Sequence, residues 1–127
     1  MRGMEYADVA PAIEARVRSI CLALPEVTER PAWAGTQWRI RNRMFAHVLA
    51  VDFPEGPVTV LIFRSSGQEL DALRSAGDPF FRPAWGVGAV GVVIEPGTDW
   101  EEITELVTDS YCTQAPNKLA ARVGRFS

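Results

Sequence analysis

Apolar residues in this chain follow two periods, one helical and one alternating. Val9, Ile13, Val17, Ile20, Cys21 and Leu24 recur at the spacing of a single helix face, with Glu14 and Arg18 one i,i+4 step apart on the outside. A first helix is therefore predicted after Asp8, ending near Pro25. Residues 25–35, punctuated by Pro25, Pro31 and Gly35, read as a loop. Residues 36–51 then read as a β-hairpin with Asn42-Arg43 as its two-residue turn. In that register Trp38, Ile40, Phe45, His47, Leu49 and Val51 share a face that seals a core, while Gln37, Arg39, Arg41, Met44, Ala46 and Val48 share the other.

Farther along, residues 52–57 turn the chain into Val58 to Phe63, which is apolar on both parities and so reads as a central strand. Ser66 is placed to cap a second helix over about 68–76, with Leu70 and Leu73 inward and Gly77 at its end. A proline-bearing aromatic loop from Asp78 to Trp85 leads into a strand over residues 89–94, which Pro96-Gly97 stops. Asp99 and Glu102 form a variant capping box for a third helix that turns Trp100, Ile103, Leu106, Val107 and Tyr111 inward. After Pro116 the tail is short, basic and compatible with a helix. The order α-β-β-β-α-β(β)-α gives an α+β fold, an antiparallel sheet with helices packed on it.

Composition narrows the class. The chain has 127 residues, 47% of them hydrophobic, which suits one compact domain over 1–127. Glu5 and Asp8 interrupt the stretch where a leader would need apolar residues, and no run approaches the ~18 apolar residues of a membrane span. A cytoplasmic protein with no membrane partner is the expectation. Cys21 and Cys112 are expected as reduced thiols. The net charge of −3 argues against a strongly basic nucleic-acid binder, but the distribution is bipolar. Residues 31–64 carry a net +2, residues 95–114 a net −6, and the tail from 115 a net +3.

Candidate chemistry is sparse. Arg39, Arg41 and Arg43, with Arg64, are the strongest contact candidates, because alternate strand residues repeat at roughly 6.6–7 Å and can reach successive phosphates of a nucleic acid such as DNA. A solvated sheet face is the plainer reading. Trp33 and Trp85 serve as loop anchors or line a small-ligand pocket; they close an Arg-Pro-Ala-Trp tetrapeptide that occurs twice, at 30–33 and 82–85. The acidic row Glu101, Glu105, Asp109 on the third helix is a solvated face or a protein contact. His47, the single histidine, is placed on the apolar face and given a structural role. With two distant cysteines and one histidine, no metal site and no cofactor are expected. Gly86 to Gly91 spells G-x-G-x-x-G, but a strand and a proline follow where a helix would have to begin, so those glycines mark a bulge or a close backbone contact. No nucleophile with a base beside it stands out, and a non-enzymatic protein is expected.

Four short motifs in order, Ala23-Leu24-Pro25-Glu26-Val27-Thr28-Glu29, Met44-Phe45-Ala46, Asp109-Ser110-Tyr111 and Ala115-Pro116-Asn117-Lys118-Leu119, with Asp99-Trp100 opening the last long helix, resemble the MmcQ/YjbR family over about residues 8–121. The resemblance implies a small α+β fold, a structural sheet role for Met44-Phe45-Ala46 and, from the label many members carry, DNA binding. It supplies no catalytic residues. Asn42-Arg43 stands where a Gly-Lys pair is common, and Arg82-Pro83-Ala84-Trp85-Gly86 replaces a loop that in many relatives bears His-Asn-Lys.

Overall fold

The computed structural model describes residues 5–84 and 86–123. Seven strands form one sheet, β1 (Tyr6–Ala7), β2 (Thr28–Pro31), β3 (Thr36–Ile40), β4 (Arg43–Phe53), β5 (Gly56–Arg64), β6 (Phe80–Phe81) and β7 (Ala89–Ile94). The helices are α1 (Pro11–Leu22), α2 (Gly67–Ser75), α3 (Trp100–Gln114) and α4 (Asn117–Val123). Strand order is β2-β3-β4-β5-β7-β6, all antiparallel, with β1 added alongside β4. This is the expected α+β layout with a longer sheet. The extra strand β2 lies inside the segment expected to be a loop; its four residues are exposed, so no hydrophobic alternation marks it in the sequence.

One face of the sheet carries the helices. Trp38, Ile40, Phe45, Val48, Leu61, Phe63, Val90 and Val92 project from the strands into a core closed by Val17 and Cys21 of α1, Ile103, Val107 and Tyr111 of α3, and Leu119 of α4. Helix α3 is anchored at its start by Asp99, whose Oδ1 accepts from the backbone N–H of Glu101 and Glu102 at 3.0 and 3.3 Å. Inside the core the Tyr111 hydroxyl donates to Pro25 O at 2.7 Å, and its ring meets Phe45 edge-on at 5.4 Å. The Glu14–Arg18 pair forms at 3.3 Å as its spacing implied. Ser66 holds the N-cap position of α2, yet its side chain makes no capping bond.

The hairpin differs from expectation in its turn and its faces. Arg41 and Asn42, at φ of 49° and 65°, make the tight turn, one residue earlier than Asn42-Arg43. Ile40 therefore opposes Arg43 and Arg39 opposes Met44, but beyond a bulge Trp38 opposes Ala46, Gln37 opposes His47 and Thr36 opposes Val48. Phe45 is the extra residue. The bulge lets both Phe45 and Ala46 enter the helix-side core and flips everything after them. Ala46 and Val48 face the helices, whereas His47, Leu49 and Val51 face the opposite side together with Gln37 and Arg39, a correction to the expected split.

Among the described residues no helix is long and apolar enough to cross a membrane.

Candidate ligand cleft on the helix-free face

Strands β4 and β5 are apolar on both parities, and the helices cover only one side of them. Leu49, Val51 and Val60, with Val58, Ile62, Val93 and Phe81, form a second apolar cluster on the other side. Loops wall it in. The segment Pro31 to Gly35 folds over β4, where Ala32 N–H donates to Gly35 O at 3.0 Å. Gly35, at φ +70°, lies so close to Val48 O that a Cβ would stand 1.8 Å from it, so no larger residue permits this approach. Trp33, carried by that loop and 59% exposed, packs edge-on to Tyr6 at 4.9 Å and to His47 at 5.8 Å. On the far side Phe81 lies over Gly91, whose missing side chain makes room for the ring. The result is a cleft of about 1010 Å³ with an aliphatic floor and aromatic walls.

One end of the cleft is basic. Arg39, Arg43 and Arg64 line it, Arg82 stands at its rim, and no aspartate or glutamate is found among its described lining residues. Arg64 ends β5, where its backbone N–H donates to Ser110 Oγ at 2.7 Å. The Ser110 hydroxyl in turn donates to Phe45 O at 2.7 Å, tying the bulge, α3 and Arg64 together. The loop 86–88 wraps the Arg64 guanidinium: Nη1 donates to Val87 O, and Gly86, at φ +101°, lies beside it. Burial, then the nearby charge of Arg43, lowers the Arg64 pKa from its ordinary value. The Arg39 guanidinium donates to Gln37 Oε1 at 3.0 Å and to Asn42 O at 2.6 Å. Each of these two side chains nevertheless keeps a buried Nε–H with no hydrogen-bond partner among the described residues. Like charges gathered at this end repel one another, and an anion bound among them relieves that repulsion.

The four arginines singled out in the sequence thus separate. Arg39, Arg43 and Arg64 meet at the cleft, whereas Arg41, in the turn, pairs with Glu26 at 2.9 Å, away from it. Trp33 is on the cleft wall. Trp85 lies outside the described residues. His47 is buried on the cleft side rather than against Trp38, donating from Nε2 to Ala34 O at 2.6 Å. Burial lowers its pKa, with the Ala34 bond opposing that shift. The residues missed as site residues are the floor, Leu49, Val51, Val60 and Ile62, together with Tyr6 and Phe53. A usable signal existed: β4 and β5 carry apolar side chains on both faces, which is one face more than three short helical stripes can cover.

The thiols do not enter this chemistry. Cys21 is buried in the helix-side core, and burial pushes its thiol far above the usual range. Among the described residues no group of three or more His, Cys, Asp or Glu side chains could hold a metal ion.

No curated protein matches the sequence. The family model for YjbR, in contrast, matches residues 22–113, from the end of α1 through β2–β7 to the last turn of α3, and so takes in most of the cleft floor and all three of its inner arginines. A match over most of the chain, with an α+β fold of the implied kind, places this protein in the YjbR family.

Proposed function

We propose that this protein is a binding module, without bond-making chemistry of its own, that holds a small amphipathic anion in the cleft on the helix-free face. The observation that carries the reading is the joining of an apolar floor to three arginines with no carboxylate among the described lining residues. Concave, mostly apolar sites with a few convergent polar groups are the usual form of a small-ligand site, and about 1010 Å³ is at the upper end of their range. Anilinonaphthalene sulfonate, an apolar ring system with one anionic group, tests it. Its fluorescence should rise on binding to the native protein, and Arg64→Met should weaken binding about 10- to 100-fold, the loss of a charge-assisted hydrogen bond. Equal binding to wild type and Arg64→Met, in proteins of equal stability, refutes the assignment.

DNA contact through Arg39, Arg41, Arg43 and Arg64 is the second reading, favoured by the exposure of Arg41 and Arg43 at the hairpin tip. With Arg41 already paired to Glu26, about three phosphates are available to the other arginines, so a log–log salt slope near −3 on duplex DNA is expected. Retention that does not respond to salt, or none at low salt, removes it.

A further inference from the structure

The long axis of the cleft follows β5, and its chemistry changes along that axis. Val58, Val60, Ile62 and Arg64 alternate onto the open face, so the Val58 and Arg64 positions are about 20 Å apart at about 3.4 Å per residue. Across the ladder Val51 faces Val58, Leu49 faces Val60 and His47 faces Ile62. The floor is thus aliphatic over two strands from Val58 to Val60 and along β5 to Ile62, which His47 faces nearer the basic end, and Val93 extends it sideways opposite Val60. At one extremity stand Tyr6 and Phe53, both partly exposed; at the other stand Arg39, Arg43 and Arg64. A channel that is apolar for its length and cationic at one end matches a molecule with the same polarity along one axis.

We infer that the ligand is a single-chain fatty acid anion, its carboxylate between Arg39 and Arg64 and its tail lying along β4 and β5 toward Phe53. This rests on the proposed cleft reading and makes it specific. Charge selects the head group: Arg39, Arg43 and Arg64 gather at that end with no aspartate or glutamate among the described lining residues, and guanidinium groups hold a carboxylate by charge-assisted hydrogen bonds. Length selects the tail. An extended hydrocarbon with bonds of about 1.5 Å and near-tetrahedral angles advances about 1.25 Å per carbon, so about 20 Å of floor takes roughly 12–16 carbons. A planar aromatic acid would fill only part of this length.

The test is a calorimetric titration of the full chain with straight-chain carboxylates of six to sixteen carbons, with dodecanol and dodecyl phosphate alongside. Affinity should rise roughly two- to fourfold per added carbon and level off between about 12 and 16. Dodecanol should bind about 10- to 100-fold more weakly than dodecanoate. Val58→Trp, which fills the far end of the floor, should shorten the preferred chain by several carbons. Affinity independent of chain length, dodecanol equal to dodecanoate, or Val58→Trp without effect on the length preference overturns the inference. So does dodecyl phosphate binding tenfold more tightly than dodecanoate, which would assign the head group to phosphate. If the carboxylates fail while anilinonaphthalene sulfonate still binds in an Arg64-dependent way, the fatty-acid inference falls and the cleft reading stands; if both fail, the cleft reading falls with it.

Discussion

Removing one hydroxyl, in Ser110→Ala, should cost this fold about as much as a buried leucine methyl cluster. Ser110 is fully buried, and its Oγ donates to Phe45 O at 2.7 Å while accepting from Arg64 N–H at 2.7 Å. The bulge on β4 leaves Phe45 O out of the regular ladder, and Arg64 is the last residue of β5, so the hydroxyl satisfies two backbone groups that the sheet does not. Alanine leaves the buried Phe45 O without this donor, at about 1–3 kcal/mol, and the part-buried Arg64 N–H loses a bond of about 0.5–1.5 kcal/mol, which water at its edge partly replaces. The sum is about 2–4 kcal/mol. With a urea m-value of about 1.5 kcal/mol/M for a domain of this size, the midpoint should fall by about 1.3–2.7 M with m unchanged. Because the same hydroxyl fixes the end of β5, anion binding at Arg64 should weaken too. A loss below about 0.5 kcal/mol would show that the bulge is not held from α3, and the link between fold and site would be wrong.

Two further outcomes follow from the same geometry. Gly91→Ala sets a Cβ within 2.3 Å of the Phe81 ring, so the ring must leave its place over β7; a destabilisation of about 1–3 kcal/mol by thermal or urea unfolding, with weaker probe binding, is expected, and an unperturbed variant would show that Phe81 is not part of the wall. His47 has its pKa lowered by burial in the folded protein, so the unfolded chain takes up the proton first; stability is fully present above about pH 6.5 and declines as pH falls from there through the folded value. His47→Gln should remove that part of the pH dependence, and an identical pH profile for both proteins rules the assignment out.

Much of the fold was legible because burial on one face imposes a period. The stripe of α3, its Asp99 cap, the strand at 89–94 and the central β5 all stand where apolar spacing placed them. Strand β2 was not legible, since a fully exposed edge strand of Thr-Glu-Arg-Pro buries nothing that could leave a pattern. The hairpin failed for a different reason. Both central turn residues need positive φ, and nothing local distinguishes Arg41-Asn42 from Asn42-Arg43 strongly enough to fix the turn. The bulge at Phe45 then reverses the faces beyond it, at no visible cost in the sequence because His47 to Val51 is apolar on both parities. That same double-sided pattern was the trace of the cleft. The site arginines were found by charge alone; their division into three at the cleft and one at the Glu26 pair depends on the turn and the bulge, both set by tertiary packing.

The most direct test is an amide NMR titration of the full chain with anilinonaphthalene sulfonate. Saturable shifts should concentrate at Leu49, Val60, Ile62 and Arg64, with Glu101 and Glu105 on the outer side of α3 unmoved. Shifts confined to the α3 surface or the Arg41-Asn42 tip, or a spectrum unchanged at millimolar ligand, would contradict an anion-binding cleft on the helix-free face.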